Sequence, residues 1–283
     1  MEIKALGDTG FDTIYDAFSQ AFADYELRLN REQLHAMLIR RGFDSNLSFA
    51  AFDGNSIVAF TFNGTGNFNG IPTVYDTGTG TLKEYRGKGL ATRIFEYSIP
   101  FLKEKGIKQY LLEVLQHNTK AVSVYKNLGF ETTREFNYFM QKNEEVRNEI
   151  RKTDFALNIG TVEIEKLNSV SGFRDFYPSW QNDFESIKRA GKEMICLGAF
   201  AEKRLAGYGI FESTSGDITQ IAVNKQLRRK GIASLLLREM LRLNKHDSVK
   251  IVNTDVACNS IIAFLKAKNI HIKGKQFEMI RTI

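Results

Sequence analysis

The chain has 283 residues, of which 43% are hydrophobic and 25% charged, with 22 Gly, 3 Pro and 2 Cys. This composition excludes a collagen, a disordered chain and a small disulfide-rich protein, and the length allows one large domain or two of about 140 residues. The net charge of +6 comes from the second half, because residues 1–142 hold 16 basic and 16 acidic side chains and residues 143–283 hold 23 and 17.

In the first half of the chain, the spacing of apolar residues predicts nine secondary-structure elements, in the order β-α-α-β-β-β-α-β-α. Their predicted bounds are residues 2–6, 11–25, 30–41, 47–53, 56–63, 73–82, 90–101, 109–115 and 118–128. The second half predicts the shorter pattern β-α-β-β-β-α-β-α. Its predicted bounds are residues 162–167, 172–190, 195–201, 204–212, 217–223, 232–243, 249–256 and 259–268. We therefore expect a first domain at 1–142, a linker at 143–160 and a second domain at 161–283.

Several classes of partner are not expected. No apolar stretch approaches the roughly 20 residues of a membrane helix, and the N-terminus has no apolar core, so we predict a cytoplasmic protein without a membrane partner. The basic residues are dispersed, which disfavours a nucleic-acid partner. The four histidines are isolated and the two cysteines are too few for a thiolate site, so no metal site is predicted. Nothing in the sequence indicates an oligomeric state.

One segment occurs twice. Residues 81–91 are TLKEYRGKGLA and residues 223–233 are VNKQLRRKGIA, with Arg, Lys, Gly and Ala repeated at an offset of 142. The predicted elements on either side also agree, which indicates a duplication of one fold.

The repeated segment lies where a strand ends and a helix begins. The first N–H groups of a helix have no internal partner and carry partial positive charge. Gly89 and Gly231 lack a Cβ, so an anion can approach the backbone, and Arg86 and Lys88 add charge. One such segment alone is often a plain turn. Two copies in matching contexts favour a cradle for a pyrophosphate.

Two motifs carry a resemblance to a known family. Residues 86–91, RGKGLA, are similar to the Arg/Gln-x-x-Gly-x-Gly/Ala motif with which GNAT acetyltransferases bind acetyl-coenzyme A. Residues 118–130, NTKAVSVYKNLGF, are similar to the family's second signature, Asn-x-x-Ala-x-x-Leu-Tyr-x-x-x-Gly-Phe. The chain thus resembles the GNAT superfamily over essentially its whole length, as two tandem α/β units. The resemblance implies that each unit has a mixed, mostly antiparallel central sheet flanked by helices.

The resemblance also implies roles for residues of the first unit. Backbone groups near Thr81 and Leu82 would pair with the pantetheine arm, Asn118 would contact the same arm, and Tyr125 would protonate the leaving thiolate as general acid. The alternative for Tyr125 is a core aromatic residue on a helix. The pyrophosphate would be held by the segment that consists of Arg86, Gly87, Lys88, Gly89, Leu90 and Ala91.

The second unit departs from the pattern. Its cradle is complete in Arg228, Lys230, Gly231 and Ala233. Its second signature is degraded, because Asn259 is shifted by one residue and Leu265 falls where Tyr125 would be. Leucine cannot donate a proton, so this unit is expected to bind coenzyme A in a structural or regulatory role.

The acceptor side is less defined. Asp76 or Glu113 could be the general base, because both lie on strands expected to flank the cleft. Asp24, Tyr25 and Glu26 lie at the helix turn that covers the acceptor in the family, and the acidic first 50 residues would favour a cationic amine. Each carboxylate has the alternative of an exposed surface charge.

The aromatic side chains of the hairpin allow two interpretations. Phe60, Phe62 and Phe68 with Tyr75 could line an acceptor pocket or could be core packing on a hairpin, and we favour packing. The function predicted from the sequence is transfer of acetyl from acetyl-coenzyme A to the primary amine of a small molecule or peptide by direct attack. The alternatives are a non-catalytic acyl-coenzyme A sensor and, third, nucleic-acid binding by the basic half.

Overall fold

A computed structural model of the chain describes residues 1–24, 28–149 and 156–283. The described residues form two compact units: unit 1 consists of Met1–Thr133 and Phe277–Ile283, and unit 2 consists of Arg134–Gln276. The tandem α/β organisation is confirmed. The division differs from the predicted boundary at residue 142, because unit 1 takes the last seven residues of the chain and most of the strand after its last helix, residues 134–142, belongs to unit 2.

Unit 1 contains five strands and four helices of the described chain, in the predicted order. Their bounds are β1 (Glu2–Ala5), α1 (Phe11–Ala21), α2 (Arg31–Arg41), β2 (Phe49–Asp53), β3 (Ser56–Phe68), β4 (Ile71–Thr81), α3 (Leu90–Glu104), β5 (Gln109–Leu115) and α4 (Thr119–Asn127). The strands lie in the order β1-β2-β3-β4-β5, antiparallel except for the parallel pair β4 and β5.

Local sequence explains where α2 begins and ends. The Asn30 side chain accepts a hydrogen bond from the Gln33 backbone, and the Gln33 side chain accepts one from the Asn30 backbone, which forms a capping box. The helix ends at Gly42, which takes φ 77°, a left-handed conformation that glycine adopts without a steric penalty.

The aromatic residues of β3 form the core of unit 1. Phe60 and Phe62 are fully buried, stack on each other with ring centroids 4.1 Å apart, and contact Phe18 of α1. Phe68 and Tyr75 are also buried. Core packing on the hairpin, the interpretation that the sequence favoured, is therefore correct for all four residues.

Unit 2 follows the same plan with shorter helices before its hairpin. The strands and helices from residue 131 onward are β6 (Glu131–Lys142), β7 (Leu157–Thr161), α5 (Ile164–Asn168), α6 (Phe184–Ala190), β8 (Met194–Ala201), β9 (Arg204–Glu212), β10 (Asp217–Val223), α7 (Ile232–Leu243), β11 (Ser248–Asp255), α8 (Asn259–Ala267) and β12 (His271–Thr282). The strand order in unit 2 is β6-β11-β10-β9-β8-β7, with β10 and β11 parallel.

Two predictions for unit 2 were wrong. The opening strand is β7, four of whose five residues lie inside the predicted linker, and most of the predicted strand at 162–167 belongs to the short helix α5. The predicted helix at 172–190 is helical only over α6 and in short 3₁₀ turns, because Pro178 disfavours a helical conformation at the residue before it.

The last residues of the chain complete unit 1. Met279 is fully buried in a cluster with residues of α3 and β5. The Arg281 guanidinium donates to the Leu128 carbonyl at 2.6 Å, and the Ile283 N–H donates to the Lys108 carbonyl at 3.0 Å. The core of unit 1 therefore needs a segment that is about 145 residues away in sequence. No helix among the described residues is long and apolar enough to cross a membrane.

Candidate active site

In each unit the two parallel strands pair over a short stretch and then separate, and we call the gap between them the cleft. In unit 1 the β4–β5 register covers Thr73–Tyr75 only, and in unit 2 the β10–β11 register covers only Asp217 with Lys250. Immediately beyond lies a β-bulge in each unit, in which Thr77 is the extra residue of β4 opposite β3 and Thr219 is the extra residue of β10 opposite β9. Thr77 and Thr219 are 142 residues apart, so the bulge is part of the duplicated fold.

The predicted cradle forms at the mouth of the cleft in unit 1. Gly87 has φ 78° and Gly89 has φ 70°, so both are left-handed, and α3 begins directly after them without a side-chain cap. A Cβ at either glycine would meet no atom within 4 Å. The space above these backbone N–H groups is therefore open, and the geometry fits the anionic pyrophosphate of a coenzyme.

Unit 2 repeats the cradle. Arg229 and Gly231 have φ 65° and 83°, and α7 begins after Gly231 without a side-chain cap. Residues other than glycine rarely adopt the left-handed conformation. Arg229 nevertheless adopts it, so the backbone of the second cradle follows that of the first. Lys230 is exposed, and Ala233 lies in the first turn of α7.

The Arg86 side chain contacts the protein itself, and its predicted part in holding a pyrophosphate stays a prediction. Its guanidinium donates to the carbonyls of Thr81 (3.1 Å) and Ala21 (2.9 Å) and pairs with Asp24 at 3.2 Å. The side chain thus ties the end of β4 to the end of α1. The cradle in unit 1 offers mainly backbone groups and Lys88, whose ammonium lies 4.7 Å from the ring centre of Tyr85.

The corresponding arginine of unit 2 makes the same three contacts. Arg228 donates to the carbonyls of Val223 (3.2 Å) and Phe173 (3.0 Å) and pairs with Asp175 at 2.8 Å. The repeated arginine is therefore an architectural residue in both units, and it holds the cradle against the helical layer.

Asp24 lies beside the cradle, because its carboxylate pairs with Arg86. Tyr25 and Glu26, the other two predicted acceptor residues, fall outside the described residues. The predicted role of these three residues toward an acceptor stays a prediction.

A polar network lies at the inner end of the unit 1 cleft. The Tyr125 hydroxyl donates to Asp76 Oδ2 at 3.0 Å, and the Thr79 hydroxyl donates to the same oxygen at 2.8 Å. The Gly78 N–H donates to the other oxygen at 2.9 Å. Tyr125 also packs against Phe130, so it is both part of the aromatic core and a polar group of the cleft.

Burial sets the proton affinity of this pair. Burial raises the pKa of Asp76 above its ordinary value, although hydrogen bonds from Thr79 and Tyr125 oppose the increase. Burial, together with the negative charge of Asp76, raises the pKa of Tyr125 well above its ordinary value. Tyr125 therefore keeps its proton at neutral pH, and Asp76 is a stronger base than a carboxylate in water.

Glu113, the second candidate base, belongs to a separate pair. Its Oε2 accepts a hydrogen bond from the Tyr75 hydroxyl at 3.1 Å. Burial, and then the Glu113 charge, raise the pKa of Tyr75 well above its ordinary value. The structure therefore links only Asp76 of the two carboxylates by a hydrogen bond to Tyr125.

The residues predicted to contact the coenzyme arm are partly engaged by the protein. The Leu82 N–H donates to the Val58 carbonyl at 3.0 Å, and the Thr81 carbonyl accepts from Arg86. The Asn118 side chain caps α4 by accepting from the Ala121 N–H at 3.3 Å. Their pairing with a coenzyme arm stays a prediction.

The inner end of the unit 2 cleft has lost the polar network. The residues at the positions of the network are Ile218, Ile221 and Leu265, and Ile218 and Leu265 are buried. The N-cap of α8, which corresponds to Asn118, is Cys258 and forms no capping hydrogen bond. Asn259 is the first helical residue of α8, one position after this N-cap, which agrees with the predicted shift of one residue.

A buried segment before α6 bridges the two separated strands of unit 2. From β10, Gln220 donates to the Asn182 carbonyl at 2.6 Å. Asn182 in turn donates to the Val252 carbonyl of β11 at 2.9 Å, and Asn253 donates to the Ser179 hydroxyl at 3.0 Å. We call residues 179–183 the bridging segment; four of its side chains are buried, namely Ser179, Trp180, Asn182 and Asp183.

Sequence reasoning missed several residues of both sites. Thr77, Thr79 and Thr219 were not singled out, although Thr77 and Thr219 are related by the same offset that relates the cradles. The bridging segment carried no recognisable motif. Among the described residues, no three His, Cys, Asp or Glu side chains are grouped in a way that could hold a metal ion.

Family comparisons agree with this geometry. Residues 11–130 match the Acetyltransferase (GNAT) family and residues 165–262 match a second Acetyltransferase (GNAT) domain, so the two matches together cover most of the chain.

Curated relatives match over short segments. N-alpha-acetyltransferase 30 of Schizosaccharomyces pombe is 41% identical over 49 residues, 17% of this chain and 33% of that protein. Thialysine N-epsilon-acetyltransferase of Mus musculus is 37% identical over 65 residues, 20% of this chain and 38% of that protein. The chain thus spans about a third of the length of the curated relatives it matches.

Solved structures match over the whole chain. A tandem GNAT protein from the clavulanic acid biosynthesis pathway has a TM-score of 0.76 at 12% identity, covering 99% of this chain and 98% of that one. A GCN5-related N-acetyltransferase from Sphaerobacter thermophilus has a TM-score of 0.73 at 13% identity, covering 99% and 95%. At these identities the likeness shows the fold.

Proposed function

Because the chain belongs to the GNAT acetyltransferase family as a member with two tandem units, we propose that unit 1 transfers an acetyl group from acetyl-coenzyme A to a primary amine. The observation that carries the proposal is the hydrogen bond of 3.0 Å from Tyr125 to Asp76 at the inner end of a cleft whose mouth is an open anion cradle. The proton donor and the proton acceptor lie 3.0 Å apart, and in the proposed complex the thioester of the bound coenzyme lies beside them.

The cradle supplies the binding energy for the coenzyme. The N–H groups between Gly87 and Ala91 would hold the pyrophosphate, since the first turn of α3 has no internal partners for them. Arg86 contributes by fixing the loop, because its own donors are engaged by Thr81, Ala21 and Asp24.

The Tyr125–Asp76 pair accounts for the proton transfers of direct attack. Asp76 takes a proton from the attacking amine, whose nitrogen forms a bond to the thioester carbon. Tyr125 gives its proton to the sulfur as the carbon–sulfur bond breaks. The proton held by Asp76 then passes to the Tyr125 oxygen over their 3.0 Å hydrogen bond. The neutral amine thus loses one proton, the thiol gains one, and the amide nitrogen keeps its other hydrogen. The pair returns to its starting state without a covalent enzyme intermediate.

The acceptor is proposed to be the amine of a small molecule or peptide. Two relatives are named for transfer to amino nitrogens, N-alpha and N-epsilon respectively, which favours a nitrogen acceptor. Both cysteines are free, which fits a reducing compartment, and we place the protein in the cytoplasm.

A Tyr125→Phe variant tests the proposal. We expect release of coenzyme A thiol, measured over a panel of amines, to fall about 100-fold, because removing a positioned general acid costs this much or more. Binding of acetyl-coenzyme A, measured by calorimetry, should change less than threefold. Unchanged turnover would exclude the acid role of Tyr125, and no turnover by the wild type with any amine would favour the sensor alternative.

A further inference from the structure

A cavity of about 660 Å³ lies within unit 2. Its mouth is the second cradle, with Gly231, Ala233 and Ser234 in its wall. From there it runs between β10 and β11 toward the last paired residue, Asp217. An anion held at the mouth therefore leaves room for a long attached group inside the cleft.

The inner wall on the side of α7 and α8 is apolar. It is formed by Ile218 and Ile221 of β10, Ile251 of β11, and Ile261 and Phe264 of α8. Two of these positions, Ile218 and Ile221, correspond to Asp76 and Thr79 in unit 1. A wall of this kind favours an apolar group, because each CH₂ removed from water contributes favourably to binding.

The opposite side of the cleft is closed. The bridging segment connects β10 and β11 through hydrogen bonds of 2.6 to 3.0 Å, and its Trp180 is 1% exposed. A group bound in unit 2 would therefore meet neither an acceptor nor the proton donor that Leu265 replaces.

We propose that unit 2 is a non-catalytic binding site for an acyl-coenzyme A whose acyl chain is longer and more apolar than acetyl. The pyrophosphate binds at the cradle before α7, and the acyl chain lies against the isoleucine wall. The proposal shares the assignment of the cradle with the proposed function but does not depend on catalysis by unit 1.

Calorimetric titration of the full chain with acetyl-coenzyme A and with octanoyl-coenzyme A tests this. The wild type should bind octanoyl-coenzyme A at least tenfold more tightly than acetyl-coenzyme A at one site. Gly231→Asp places a side chain and a negative charge in the second cradle and should weaken that site at least tenfold. Gly89→Asp, the matched change in unit 1, should leave octanoyl-coenzyme A binding within threefold of the wild type.

The apolar wall has its own variant. Ile221→Thr introduces the unit 1 residue at a half-buried position, with little risk to folding, and should weaken octanoyl-coenzyme A binding three- to tenfold with less effect on coenzyme A itself. Equal affinity for the two acyl-coenzymes, or loss of octanoyl-coenzyme A binding in Gly89→Asp with retention in Gly231→Asp, would overturn the proposal. Acetyl transfer is measured separately by thiol release, so failure of the proposed function would leave this titration interpretable.

Discussion

The inner ends of the two clefts differ although the structures around them agree. Both units have the bulge, the left-handed cradle and an arginine that makes the same three contacts. The difference is concentrated at three positions. Asp76, Thr79 and Tyr125 of unit 1 correspond to Ile218, Ile221 and Leu265 of unit 2, in that order.

This comparison separates architecture from chemistry. A cradle needs only backbone geometry and a helix start, so it can persist after duplication with few sequence constraints. A proton-transfer pair needs specific side chains within hydrogen-bond distance, so one substitution removes it. Unit 2 has the first feature and lacks the second, and this is why we propose binding without catalysis for it.

The largest effect is expected at the carboxylate that distinguishes the two clefts. Asp76→Asn keeps the shape of the side chain but removes its basicity, so turnover should fall about 1000-fold. Because burial raises the pKa of Asp76, the wild-type kcat/KM should decrease as the pH falls through that raised pKa, and the variant should lose this acidic limb. pH–rate profiles of both proteins check the expectation.

Glu113→Gln is the comparison variant for that experiment. It should lower turnover less than tenfold, because Glu113 bonds to Tyr75 and not to Tyr125. The reverse order of effects would assign the base to Glu113.

The bridging segment of unit 2 predicts a pH-dependent stability. Burial raises the pKa of Asp183 to about 6 from 3.8, so between these values the folded state holds a proton that the unfolded state has released. The free energy of unfolding should therefore fall by roughly 2 kcal/mol as the pH rises from 4 to 6. Asp183→Asn keeps an acceptor for the Ser186 N–H and should remove this fall.

Trp180, the single tryptophan of the sequence, gives the readout. It lies in the bridging segment, so its fluorescence during denaturation at pH 4 and pH 7 reports on unit 2. An equal pH dependence in wild type and variant would show that Asp183 is not the group responsible.

The smallest expected effect is a difference in unfolding free energy between alanine variants of the two repeated arginines, Arg86 and Arg228. Arg228 and its partner Asp175 have side chains 29% and 30% exposed, whereas Arg86 and Asp24 are 40% and 50% exposed. Arg228→Ala should therefore cost about 2 kcal/mol and Arg86→Ala about 1 kcal/mol of unfolding free energy, because hydrogen bonds of charged groups count for more when water is excluded. Denaturant titrations should give this order, and the opposite order would contradict the argument.

The sequence predicted much of this arrangement. The offset of 142 located both cradles, and the periodic apolar residues gave most strands and helices of unit 1. Tyr125 and Asp76 were both named as candidates, but only the structure joins them, because their 49-residue separation is bridged by tertiary packing.

Other features could not be predicted for physical reasons. The assignment of the last residues to unit 1 depends on long-range pairing, which local patterns do not encode. The role of Arg86 depends on two carbonyls and a carboxylate brought together only by folding. The bridging segment lacks the regular spacing of apolar residues that predicts a helix or a strand. Its hydrogen bonds to β10 and β11 therefore could not be predicted from the sequence.

The most direct test of the proposal that unit 1 is the catalytic unit compares two variants, Gly89→Asp and Gly231→Asp. Thiol release from acetyl-coenzyme A is measured for both, with the best amine of the panel. The two changes are the same, at the same position of the two cradles. We predict that Gly89→Asp lowers turnover at least 100-fold and that Gly231→Asp lowers it less than threefold. Loss of turnover in Gly231→Asp with retention in Gly89→Asp would contradict the assignment of catalysis to unit 1.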